Sequence, residues 1–161
     1  MNRILFSYES DKFRFAVIST IIAFLLGIIG YKISVAGEHI YFFISAPIAT
    51  FIPSYLIWNI TFQSKKDYKF INVIVIAFIL TLVTHYLNFV ILGLGRLVCY
   101  YLTGNCTDYT GEVESLLGTL TYYSFLRTII SLYYWGPITF GFFILSCLYV
   151  LRTAKLIENE R

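Results

Sequence analysis

The sequence predicts an all-α polytopic membrane protein: an antiparallel bundle of four transmembrane helices with an extended outer hairpin. Three observations carry that prediction. The 161 residues are 58% hydrophobic and only 13% charged, whereas a soluble domain carries about 25% charged residues. Four apolar runs reach the roughly 20 residues a helix needs to cross the hydrocarbon core. The basic residues collect on one side of those runs. No linker or internal repeat interrupts the pattern, so residues 1–161 read as a single membrane domain, and an inverted-repeat transporter is not supported.

The first span is expected over residues 15–34. Its lead-in, "MNRILFSYESDKFRF", is mixed and carries Arg3, Lys12 and Arg14. Ser34-Val35-Ala36 resembles a signal-peptidase site. The long lead-in, the spanning length and Lys32 favour a retained helix instead. Ser19, Ala23 and Gly27 recur every fourth residue, and Gly30 and Ser34 extend the face. Small residues at this spacing let helix backbones approach closely. They are expected to form a helix-packing surface inside the chain, with dimerisation as the sharper reading.

The second span covers residues 40–62 and holds Pro47 and Pro53. Each proline frees a carbonyl that neighbours must satisfy. The third span covers 70–94, with an apolar continuation to Tyr101. A single helix over 69–103 would be about 52 Å long, against a hydrocarbon core of roughly 30 Å. It must break near Gly93 and Gly95, tilt, or project. The fourth span covers 132–151. Before it, the amphipathic stretch 116–131 puts Thr121, Ser124, Arg127, Thr128 and Ser131 on one face. Tyr122, Phe125, Leu126, Ile129 and Tyr133 share the other. This stretch either lies at the outer interface or extends the fourth helix along the third. Gly136-Pro137 is expected to mark a bend, and "YYW" at 133–135 an aromatic belt.

Orientation follows from charge. Arg3, Lys12 and Arg14 precede the first span; Lys65, Lys66 and Lys69 join the second to the third; Arg152, Lys155 and Arg161 end the chain. These are nine of the twelve basic residues. Both termini are therefore expected in the cytoplasm, in a bacterial inner (plasma) membrane. The opposite loop, "TGNCTDYTGEVES", is acidic. It places Asp108, Glu112 and Glu114, with Arg127, on an outer hairpin expected to face a partner.

The third span contains an anomaly, "THYLNFVILGLGRLVC". On a helical wheel Thr81, Thr84, His85, Asn88 and Arg96 fall within roughly a third of the circumference. Such a stripe belongs against other helices or a water-filled cleft, because lipid penalises it. The structural reading is hydrogen bonding across the bundle, with Asn59, Thr50 and Ser146 as candidate partners. The functional reading is a solute pathway with His85 as its titratable element. Arg96 reads as an interfacial residue whose stem snorkels.

No phosphate-binding glycine loop, zinc-protease motif or nucleophile elbow is present in the sequence. No catalytic residue, metal or cofactor is assigned. Glu38-His39 reads as a solvated turn. Cys99 and Cys106 are a candidate disulfide on the oxidising side, and Cys147 a small packing residue. Asn105-Cys106-Thr107 has meaning as a glycosylation sequon only in a eukaryotic secretory setting. The aromatic residues are not interleaved with a basic patch, so no nucleic-acid partner is expected. The expected partners are the lipid bilayer and another membrane protein, or a second copy. The function expected is non-enzymatic binding of the immunity, assembly or regulatory type; the alternative is a small transporter or channel using the polar stripe.

Overall fold

A computed structural model describes the backbone of residues 2–33, 42–61, 69–104 and 115–159. It describes side-chain surroundings for 11–30, 32, 42–58, 60, 69–104 and 115–153. The described secondary structure is all helical: α1 (Asn2–Ile33), α2 (Phe42–Thr61), α3 (Phe70–Thr103), α4 (Leu116–Gly118) and α5 (Ser124–Asn159). A π turn over Thr119–Tyr123 joins α4 to α5 without a break. Among the described residues three stretches are long and apolar enough to cross a membrane: Asp11–Gly30, Phe70–Thr103 and Leu116–Thr153. The apolar stretch of α2, Phe42–Trp58, is shorter.

The ends of these helices have local causes. Lys69 is extended just before α3. Gly104 stops α3 at φ 71°, and its N–H closes on the Tyr100 carbonyl at 2.8 Å. Glycine alone adopts that backbone conformation without a Cβ penalty. The Ser115 side chain caps α4 by accepting the Gly118 N–H at 3.0 Å.

Contacts along the helices establish their directions. Phe13 meets Phe51 and Phe15 meets Trp58, with ring centroids 6.3 and 4.8 Å apart. Further along α1, Gly27 packs on the backbone of Phe42 and Phe43. α1 and α2 therefore run antiparallel. Phe42 at the start of α2 meets Phe89 late in α3 at 5.7 Å, while Trp58 near the end of α2 shares a cluster with Val73 and Ile76. The same cluster takes in Cys147 and Val150 from late in α5, and Gly93 meets Thr119 at the other end. α5 also packs back on α1, so each long helix touches two others.

α3 does not break at Gly93 or Gly95. A Cβ at Gly93 would collide with the Thr119 methyl, so this glycine serves the close approach of the π turn. α5 likewise continues through Gly136 and Pro137, although proline removes the N–H that would bond the Tyr133 carbonyl. Residues 116–131 extend the last helix and pack along the far end of α3.

An apolar core is joined by many buried hydroxyls, and the outer surface is far more apolar than that of a water-soluble protein. Ser19, Ser45, Ser54, Thr81, Ser124 and Ser146 are buried. Ile52, Ile60, Phe78, Phe125, Tyr133 and Leu145 are exposed. A soluble fold rarely presents so much contiguous apolar surface. The start of α5 shows this within one segment: Ser124 and Thr128 turn inward, while Phe125, Leu126 and Ile129 face out.

Candidate functional site: a polar chamber among the four long helices

His85 is held from both sides by α5. Its Nδ1 lies 2.8 Å from the Ser131 hydroxyl and its Nε2 3.0 Å from the Thr139 hydroxyl. The network assigns the tautomer. Thr139 directs its own proton to the carbonyls of Trp135 and Gly136, each 3.1 Å away. It therefore accepts from His85 Nε2–H, and Nδ1 accepts from Ser131. Ser131 and Thr139 stand two turns apart with Pro137 between them. The ring thus braces the last helix across its missing backbone bond.

Asn88, one turn further along α3, accepts a 2.6 Å hydrogen bond from Ser45 on α2 through Oδ1. Thr81 and Thr84 bond the carbonyls of Ala77 and Leu80, each at 2.7 Å. A hydroxyl that returns its proton to its own helix satisfies that proton locally and presents only lone pairs outward. Tyr86 reaches the π turn and donates to the Leu120 carbonyl at 2.5 Å.

Two adjoining cavities lie against this network. The larger is about 100 Å³ and is lined in part by Gly27, Phe42, Thr84, His85, Asn88 and Trp135. The smaller is about 40 Å³ and is lined in part by Ser19, Ile22, Thr84, Phe142 and Ser146. Ala23, Leu26, Thr50, Thr84 and Thr139 border both. Beyond the smaller cavity, Phe15, Trp58, Leu80, Phe143, Cys147 and Val150 pack the interior with apolar side chains.

The residues singled out from sequence distribute as follows. Thr81, Thr84, His85 and Asn88 are buried together on one face of α3. Arg96 is partly buried on the far extension of α3, and Arg127 is partly buried on α5. Ser19 and Ala23 border the cavities. At Gly27 a Cβ would come within 2.9 Å of the Phe42 carbonyl oxygen, so this face serves contact between α1 and α2. Cys99 is disulfide-bonded, and Cys147 is a free buried thiol. Cys106, Asp108, Glu112 and Glu114 lie outside the described residues, as does the side chain of Asn59.

Sequence reasoning did not name the residues that bond His85 and Asn88. Thr50 and Ser146 border the chamber, but Ser45, Ser131 and Thr139 make the bonds. A signal existed for the last two: they are eight residues apart, on one face of a helix. Among the described residues no group of three or more His, Cys, Asp or Glu could hold a metal ion. No protein-family model, curated protein or solved structure matches the chain.

Proposed function

We propose that the chain is an integral membrane protein of four spans, with both termini in the cytoplasm of a bacterial inner membrane. It acts without catalysis, by binding another membrane protein. The apolar outer surface and the length of the apolar helices support the membrane assignment, and the basic residues at the termini and in the 63–69 loop support the orientation.

The observation that carries the binding role is the hairpin made by the far ends of α3 and α5. Phe89 packs on Phe42 at the start of α2. α3 then runs on through residues 90–103, about 21 Å further. The π turn and the beginning of α5 accompany it. Along this projection Val98, Tyr101, Leu102, Leu117, Tyr122 and Phe125 are exposed, Tyr101 to 80%. Such a surface is stabilised by a second apolar surface. A partner with a hydrophobic transmembrane or juxtamembrane segment supplies one.

The test is photocrosslinking in native membranes, with a crosslinking residue at Tyr101 or Phe125 and a control at Ile52 on α2. One discrete adduct at both hairpin positions, absent at Ile52, is expected. Lipid adducts alone at all three positions would overturn the binding role.

A second reading, a small solute carrier, is favoured by the chamber beside His85 and Asn88. It requires the apolar cluster around Trp58 and Phe143 to repack during transport.

A further inference from the structure

Ser19 is 3% exposed, and its hydroxyl oxygen, fully buried, has no hydrogen-bond partner among the described residues. It borders the smaller cavity. A buried hydroxyl left in this state costs free energy, but less than 1 Å² of the Ser19 oxygen is accessible, so the wall closes it off from a molecule in the cavity. Asn88 differs, because it lines the larger cavity. It is 7% exposed, its Oδ1 is occupied by Ser45, and no acceptor among the described residues takes its amide N–H groups. Asn88 therefore presents an unpaired, largely buried donor to the chamber.

Three of its other polar groups are acceptors. Thr84, Thr139 and Ser146 all return their protons to carbonyls of their own helices, so their oxygens offer lone pairs to the interior. The rest of the wall is apolar and includes Leu26, Phe42 and Trp135. No Asp, Glu, Lys or Arg borders either cavity. A charged ligand would be desolvated there without a counter-charge, at high cost. About 100 Å³ is far more than one water molecule requires.

We propose that the two cavities form one binding site for a small uncharged molecule that has both a hydrogen-bond donor and an acceptor on a short apolar body, as in a simple amide. Its acceptor faces Asn88, its donor faces Thr84 and Thr139, and its apolar part lies against Phe42 and Trp135. Binding at this site requires neither the hairpin surface nor transport.

The test uses the full chain in lipid nanodiscs, with trifluoroacetamide followed by fluorine NMR and empty nanodiscs as the partition control. Saturable binding beyond that control is expected. Acetamide should displace the probe, and ammonium chloride at equal concentration should not. Asn88→Leu should weaken binding about fivefold, the value of one hydrogen bond, and Ser19→Ala should leave it unchanged. Ala23→Leu fills the wall shared by both cavities, and Ala46→Leu fills the larger from α2; each should abolish saturation. Binding no greater than in empty nanodiscs, equal competition by ammonium, or unchanged binding in both filling variants would overturn the proposal. If one filling variant fails to fold, the other and the wild-type competition still decide.

Discussion

Thr139 accepts the Nε2 hydrogen bond of His85 at 3.0 Å while its own proton is directed to the backbone of its helix. This one-way relay fixes the ring tautomer and ties α3 to α5 next to Pro137. His85→Ala should lower stability by about 1–2 kcal/mol, the value of two interhelical bonds at the average to upper range seen in membranes. Equilibrium unfolding in bicelles measures it. A double-mutant cycle with the near-isosteric Thr139→Val isolates the pair, and a coupling of zero would show that the ring and hydroxyl do not interact.

Ser45 and Asn88 form the corresponding tie between α2 and α3. Ser45→Ala should cost about 0.6 kcal/mol, and Asn88→Ala more, because it also removes packing. The two losses should be less than additive. Strict additivity would remove this bond from the account.

Two glycines permit close approaches of different kinds. Gly93 faces the Thr119 methyl, whereas Gly27 faces the backbone of Phe42 and Phe43. Gly93→Ala should destabilise by about 1–3 kcal/mol through overpacking. Thr119→Ser removes the clashing methyl and should restore most of that loss. No side-chain change on α2 offers the same relief to Gly27→Ala, because a backbone atom stands in the way. Equal losses for Gly93→Ala in both Thr119 backgrounds would contradict this account.

The proposed orientation predicts the behaviour of reporter fusions. Green fluorescent protein fused after Arg161 should fluoresce. Alkaline phosphatase fused after Glu112 should be active, and fused after Lys66 inactive. Phosphatase activity at Lys66 would reverse the orientation.

Much of the architecture was readable because hydropathy and charge are local. The apolar runs that became α1, α2 and α3 stand out from composition alone, since a helix is the form that satisfies backbone groups in an apolar setting. The inward stripe of α3 was readable too, because Thr81, Thr84, His85 and Asn88 share a helical face whatever surrounds them. The π turn at Thr119–Tyr123 was not. It depends on contacts such as Thr119 against Gly93 and Tyr86 on Leu120, which are remote in sequence.

By itself, then, the sequence determined helix content, the positions of the apolar helices and the face on which α3 gathers its polar groups, because periodicity and composition set these within a few turns. Only the tertiary structure decided that His85 bonds Ser131 and Thr139, that Asn88 bonds Ser45, and that α3 passes Gly93 unbroken. It also decided that a chamber remains beside them. Those outcomes depend on the rotation and register of one helix against another, and many side chains in contact set both together.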